Sequence, residues 1–255
     1  MKSILRATLL AGVSAFAISQ SAMAQYAWTG FYAGVHGGYI SGGWDGKLET
    51  TAGNPANNFA GFNNPFHSID GNAALAGGQI GYNKQIGSVV LGVEADASWA
   101  GLKGSGTWAT DAAGYNNNWV KEHNLQLDYF GTVRARAGYA MGGFLPYVTG
   151  GLAYGSANGH LGVTYVPAGK TSYASVTEDH VGWTIGGGVE TMIGGNWSVK
   201  AEYLHVDLGE QPYLFKGTVY NGDPFNTDSF KSSLAFEVAR VGLNYRIPSG
   251  YEPLK

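Results

Sequence analysis

Charged residues recur two apart along this chain inside otherwise apolar stretches. Glu94 and Asp96, Arg134 and Arg136, and Lys200 and Glu202 form such pairs, with Asp128, Glu190 and Arg240 in similar settings. Side chains two apart share one face of a strand, so these groups suit either acid–base chemistry in a cleft or ion pairing in an enclosed space. Glu178-Asp179-His180 with nearby serines has the composition of part of a hydrolase. A nucleophile, base and orienting acid need a shared geometry that nothing local fixes, so the run reads more simply as a polar lead into a strand. His67, His123, His160 and His180 fall in or beside expected outer loops, His36 on an expected interior face and His205 near the outer rim. Scattered histidines of this kind are ordinarily solvated, and they define no ligand set for a metal or a haem. No phosphate-cradling Gly-rich loop with Lys-Ser/Thr, no His-Glu-x-x-His and no cysteine is present. The reading is of a protein without catalytic residues, metal or cofactor.

The elements that hold these charges follow from composition. With 41 Gly, 16 Tyr, 7 Trp and only 13% charged residues in 255, the chain is poor in helix formers and rich in strand aromatics, which predicts an all-β fold. Lys2 and Arg6 bracket a short basic start, an apolar run follows to Ile18, and Ala22-Met23-Ala24 offers a small-x-small cleavage pattern. Residues 1–24 are therefore expected to be a cleaved signal peptide, since the run is too short to span about 30 Å of hydrocarbon as a helix. No later stretch is long and apolar enough to span as a helix either. An exported chain with no cysteine must hold together without disulfides, as a sizeable sheet can. The formal charge is −3 and no basic run occurs, so nucleic acid is not expected as a partner.

The strongest signal has period two. Val89, Leu91, Val93, Ala95, Ala97 and Trp99 oppose Gly92, Glu94, Asp96 and Ser98. In 124–139, Leu125, Leu127, Tyr129, Val133, Ala135, Ala137 and Tyr139 share a face opposite Gln126, Asp128, Thr132, Arg134 and Arg136. Val181, Trp183, Ile185 and Val189 oppose Thr184 and Glu190, and Trp197, Val199, Ala201 and Tyr203 oppose Lys200 and Glu202. Weaker alternation at 28–40, 74–83, 145–155 and 234–247 brings the total to eight strands, with Glu237 on the apolar face and so needing a bulge or an interfacial position. Connections alternate between short ones near 83–88, 141–144 and 193–196 and long ones near 41–72, 104–122, 156–178 and 209–232. Short turns on one rim and long loops on the other are the asymmetry of an up-and-down transmembrane barrel with periplasmic turns and extracellular loops.

Three features send the apolar face to lipid rather than to a soluble core. Tyr129 and Tyr139 lie ten residues apart, the reach of a tilted strand across the hydrocarbon layer; with Tyr82, Trp99, Trp183, Trp197, Tyr203 and Tyr245 they are expected to form two aromatic girdles. The opposite register would place Arg134, Arg136 and Lys200 in lipid at about 2–4 kcal/mol each near the midplane. Facing inward, Glu94 matches Arg134 in depth, Glu190 matches Lys200, and Glu202 matches Arg240, so Glu94, Asp96, Asp128, Arg134, Arg136, Glu190, Lys200, Glu202 and Arg240 are expected to form a charge network in the lumen. Gly77-Gly78, Gly150-Gly151 and Gly186-Gly187-Gly188 interrupt strands, which suits the sharp curvature and crowded interior of a narrow barrel.

The stretches YAWTGFYAGVHGGY (26–39), LPYVTGGLAYG (145–155), NWSVKAEYLHVDLG (196–209) and VARVGLNYRI (238–247) resemble the small outer-membrane immunogenic proteins, a porin-like β-barrel family of alphaproteobacteria. The resemblance implies an eight-stranded, OmpA-like barrel over 25–247 in the bacterial outer membrane, in contact with lipids and lipopolysaccharide, supporting envelope integrity and exposed at the surface. It implies insertion by the barrel-assembly machinery, although Tyr245-Arg246-Ile247 and a tail at 248–255 replace the family's usual Tyr-x-Phe end. Host or surface ligands would meet the long loops, and some members of the family bind haemin. An eight-stranded interior is filled by side chains, so a structural barrel with a plugged lumen is the expectation, and a narrow channel or haemin-type binder the alternative.

Overall fold

The computed structural model describes residues 28–51, 69–110, 119–165, 169–216 and 227–247. Eight antiparallel strands close into one barrel in sequence order: β1 (Gly30–Thr51), β2 (Ile69–Ile86), β3 (Val89–Thr110), β4 (Trp119–Tyr139), β5 (Phe144–Tyr165), β6 (Lys170–Gly194), β7 (Trp197–Lys216) and β8 (Thr227–Arg246). β1 pairs with both β2 and β8, so every strand edge is bonded and no disulfide is needed to hold the sheet. The expected signal segment and the 248–255 tail lie outside the described residues.

The short connections fall at one end of the barrel. Gly87 turns the chain between β2 and β3 at φ 60°, and Gly195 does so between β6 and β7 at φ 54°, conformations that other L residues adopt only with strain. At the other end the strands run much farther than period-two reading suggests. Much of what reads as long loop in 41–72, 104–122, 156–178 and 209–232 is strand. The reason is that the sheet's polarity inverts along its length. On β3 the inward positions change from Glu94, Asp96 and Ser98 to Ala100 and Leu102, while the outward ones change from Val93 and Trp99 to Gly101, Lys103 and Ser105. On β7, Lys200 and Glu202 give way inside to Leu204, Val206 and Leu208. A strand whose outward face is Gly, Ser, Thr and Asn resembles a loop in sequence even when its inward face is a packed core.

Bulges accompany the inversion. β3 and β4 shift register between Trp99 and Leu102, β4 and β5 between Leu127 and Tyr129, and β7 and β8 between Asp207 and Glu210. At Asp128 the extra residue reverses the alternation of β4. Leu125 and Leu127 are consequently buried inside the barrel and not on the outer face with Tyr129 and Val133, a correction to the sequence reading. Near the loop end the interior is a continuous apolar core in which Ile40, Trp44, Leu102, Leu127, Leu204 and Phe236 are all buried; the Phe130 and Phe236 rings meet edge to face at 5.1 Å.

Candidate functional site

The lower interior, toward the short turns, is where charge gathers. Alternation brings Glu94 and Asp96 inward from β3, Arg134 and Arg136 from β4, Glu190 from β6, Lys200 and Glu202 from β7 and Arg240 from β8, all buried. Arg134 is the hub: Nη2 donates to Glu94 Oε1 at 2.5 Å and to Asp96 at 3.1 Å, Nη1 to Glu202 Oε1 at 3.0 Å, and Nε to Thr132 Oγ1 at 2.8 Å. Arg240 donates through Nη1 and Nη2 to the two oxygens of Asp96, each at 3.1 Å, and through Nε to Glu202 at 2.7 Å. Lys200 Nζ donates to Glu94 Oε1 at 2.7 Å, and Arg136 Nη2 to Glu190 Oε2 at 2.7 Å. These four cations balance four carboxylates, and bonds between nonadjacent strands cross the bore.

Two details depart from the sequence reading, and a third follows it. Asp128 is outside this network: it sits at the β4 bulge and accepts from Gln126 and Asn158 on the outer wall. Glu190 and Lys200 are opposite in register, yet Glu190 bonds Arg136 and Lys200 bonds Glu94. In a narrow tube the side chain across the bore is as near as the one on the next strand. Glu237 does lie on the outer wall without a bulge in its own strand, where His205 Nδ1 stands 2.7 Å from its carboxylate and both remain partly exposed.

Neutral groups that charge spacing does not flag complete the bonding. Tyr32 Oη donates to Glu94 Oε2 at 2.7 Å and Tyr147 Oη to Glu202 at 2.9 Å, while the Arg136 guanidinium sits 4.0 Å from the Tyr147 ring centroid. Ser198 and Asn244 donate to Glu190 at 2.6 and 2.9 Å. His36 lies between Gln79 Oε1 at 2.5 Å and Ser98 Oγ at 2.8 Å. Tyr32 has the parity of His36, so the alternation contains a signal for it. The glycines leave this space free: a β-carbon on Gly77 would stand 2.6 Å from His36 Nε2, and one on Gly188 would stand 2.8 Å from the Tyr147 hydroxyl.

Below the ions, at the short-turn mouth, Trp28 is buried against Val90 and Leu145 and donates from its indole to Gly142 O at 3.2 Å. The recess beside it, lined by Tyr32, Asn83, Glu190 and Ser198 among others, holds about 20 Å³, room for roughly one water. The Asp179-His180 pair is split by the sheet: Asp179 is exposed outside, whereas His180 is buried inside with Nε2 2.8 Å from Tyr213 Oη. Such a base and acid cannot act on one substrate. His123 is also buried in the upper interior and not in a loop. Among the described residues, no three His, Asp or Glu side chains converge as a metal site.

The outer wall beside the ion layer is apolar. Val93, Val133, Val148, Leu152, Ile185 and Val241 are exposed there. Trp99, Tyr129 and Trp183 are exposed toward the loop end of this band; Tyr203, also exposed, pairs with Gly187, four positions nearer the short turns than Trp183; Tyr139, Trp197 and Tyr245 are exposed toward the short turns. Tyr82 is half-buried, its ring 4.8 Å from Phe31.

Residues 8–246 match the family model described as outer membrane protein beta-barrel domain. The 31 kDa outer-membrane immunogenic protein of Brucella melitensis is 32% identical over 225 residues, covering 87% of this chain and 84% of that one. The 22 kDa outer membrane protein of Rhizobium leguminosarum bv. viciae is 31% identical over 188 residues, covering 73% and 67%. Among solved structures, the outer membrane protein OprG of Pseudomonas aeruginosa resembles the chain at TM-score 0.46 and 10% identity, covering 86% of this chain and 97% of that one. The chain belongs to the outer membrane protein beta-barrel family and resides in the bacterial outer membrane.

Proposed function

We propose that this member of the outer membrane barrel family is a noncatalytic structural surface protein, supporting the envelope with a lumen closed to steady diffusion. The observation that carries the reading is Arg134, 1% exposed and bonded at once to Glu94, Asp96 and Glu202 from strands on different sides of the bore. Eight strands leave an interior about wide enough for side chains, and the four-to-four charge layer fills it. The apolar outer band meets acyl chains, its aromatic rims form the two girdles, and lipopolysaccharide surrounds the loop end. β3 continues eleven residues past Trp99, to Thr110. At about 3.3 Å per residue and a tilt of about 40° that carries the barrel roughly 25–30 Å beyond the girdle. The apolar upper core packs this projecting part from within, so the strand ends stand well clear of the lipid. The Tyr245-Arg246-Ile247 end of the last strand would engage the assembly machinery.

Planar-bilayer recording tests the closed lumen. The wild-type protein is expected to show only small, intermittent openings, and Arg134→Ala to lengthen and enlarge them at least severalfold. Large steady conductance in the wild type would overturn the proposal.

A further inference from the structure

Every strand has two ladder neighbours, but two of the eight ladders stop in the projecting part before either of their strands ends. β6 and β7 pair only as far out as Trp183 and Asp207, whereas β5 and β6 go on to Tyr165 and Lys170 and β7 and β8 to Lys216 and Thr227. β2 and β3 likewise stop at Leu75 and Ala100. The two seams lie on opposite sides of the ring, so the upper barrel consists of two sheets, β7-β8-β1-β2 and β3-β4-β5-β6, with the apolar core between them. The β2–β3 seam is shut: a β-carbon on Gly71 would overlap the Lys103 carbonyl, and one on Gly104 the Ile69 side chain. The β6–β7 seam is as tight only at its foot, where Gly182 abuts the Asp207 carbonyl. Above that, His180 Nε2 and Tyr213 Oη meet across it at 2.8 Å. Ala157 and Leu161 of β5 and Leu208 and Tyr213 of β7 are fully buried, yet Ala174, Val176 and Glu178 on the inner face of β6 are only half-buried. Among the described residues, β6 has no ladder partner on its β7 side from Tyr173 to Asp179.

We infer that the upper edge of β6, from Tyr173 to Asp179, is a site for strand addition, and that its partner is an extended segment of another polypeptide at the cell surface. At roughly 3.3 Å per residue the open edge is about 20 Å long, a row of backbone N–H and C=O groups offered to a chain running alongside. Edges that stay bare are ordinarily blunted by Pro, Lys or a bulge. β7 carries two such devices at the seam, Pro212 and the bulge between Asp207 and Glu210. β6 carries none from Tyr173 to Asp179, where Tyr173, Val176 and Thr177 are strong strand formers and the pairing with β5 is unbroken. The same stretch sets the partner's side chains. Beside Ala174 and Val176, which pack on the apolar core, its inward residues are small and apolar; beside Ser175 and Thr177 its outward residues are polar. Glu178 and Asp179 form no ion pair with a described residue, so a basic residue fits the membrane-proximal end. In a strand antiparallel to β6 that residue lies near the N-terminus. A second copy in the same membrane fits less well: its β6 would meet this one parallel, the weaker pairing, and its β7 edge is blunted. The inference rests on the proposed membrane orientation and not on whether the lumen conducts.

Full-length protein refolded in detergent is titrated with a fluorescent synthetic peptide in which Val and Thr alternate behind an N-terminal Lys. The control is its depsipeptide analogue, in which esters replace the backbone amides and so remove the donors. The amide peptide is expected to bind at least tenfold more tightly than the ester and to slow amide hydrogen exchange selectively in 173–179. Neighbouring residues of a strand direct their N–H groups to opposite edges, so of Ser175→Pro and Val176→Pro one removes a donor from the open edge and the other from the β5 ladder. The open-edge variant should keep the heat-modifiable gel migration of a folded barrel and lose at least fivefold in peptide affinity. Glu178→Gln, which leaves every backbone group in place, should weaken the Lys-led peptide at least twofold. Equal binding of amide and ester, slowed exchange only outside 173–179, or unchanged affinity in every folded variant would overturn the inference. Concentration-dependent dimers of the protein alone, with 173–179 protected in them, would overturn the assigned partner in favour of a second copy.

Discussion

The lower and upper halves of this barrel solve opposite problems with the same strands. In the lower half the surroundings are hydrocarbon, so Leu91, Val133 and Ile185 face out and the ions around Arg134 are enclosed. In the upper half the surroundings are aqueous, and Leu102, Leu127 and Phe236 form an ordinary core behind a polar wall. The difference teaches that the inside of a membrane barrel is not polar as such. Its polarity is whatever the outside at that height does not require. The two halves also differ in how they fail. Burying ions costs several kcal/mol per charge before any pairing, so the lower interior depends on every partner being present. The upper interior loses stability roughly in proportion to the apolar volume removed.

That contrast can be broken by matched truncations. Arg134→Ala strands Glu94, Asp96 and Glu202 with one partner fewer, and urea unfolding in micelles should show a loss of about 3–5 kcal/mol. A loss below about 1 kcal/mol would mean that water already reaches the network. Leu204→Ala in the fully buried upper core should cost about 2–3 kcal/mol. Its signature is also local: proteolysis of the intact protein should increase at the loop end while the lower barrel stays protected. Cleavage spread evenly over both ends would show that the two halves do not respond independently.

The lower half was legible in the sequence because its rule is simple: apolar out, charged in, with turns of Gly and Asn marking the near rim. Glu94 opposite Arg134 and Glu202 opposite Arg240 follow from counting residues away from the short turns. Counting fails where geometry acts across the bore, as for Glu190 and Lys200, and it gives no weight to Tyr32 and Tyr147, whose hydroxyls complete the carboxylate bonding. The upper half was hidden by its own inversion. Gly101, Lys103 and Ser105 look like loop because they face water, and Leu125 and Leu127 look like lipid-facing residues because one extra residue at Asp128 conceals the change of face.

The most direct test follows one strand through the inversion. The chain has no cysteine, so single spin labels can be placed at outward positions of β3 by Val93→Cys, Ala97→Cys, Lys103→Cys and Ser105→Cys, with the protein reconstituted in lipid vesicles. Power-saturation measurements should find the first two collided mainly by oxygen, which concentrates in hydrocarbon, and the last two mainly by a water-soluble nickel complex. Oxygen dominance continuing through residue 105, or nickel reaching residue 93, would contradict the account.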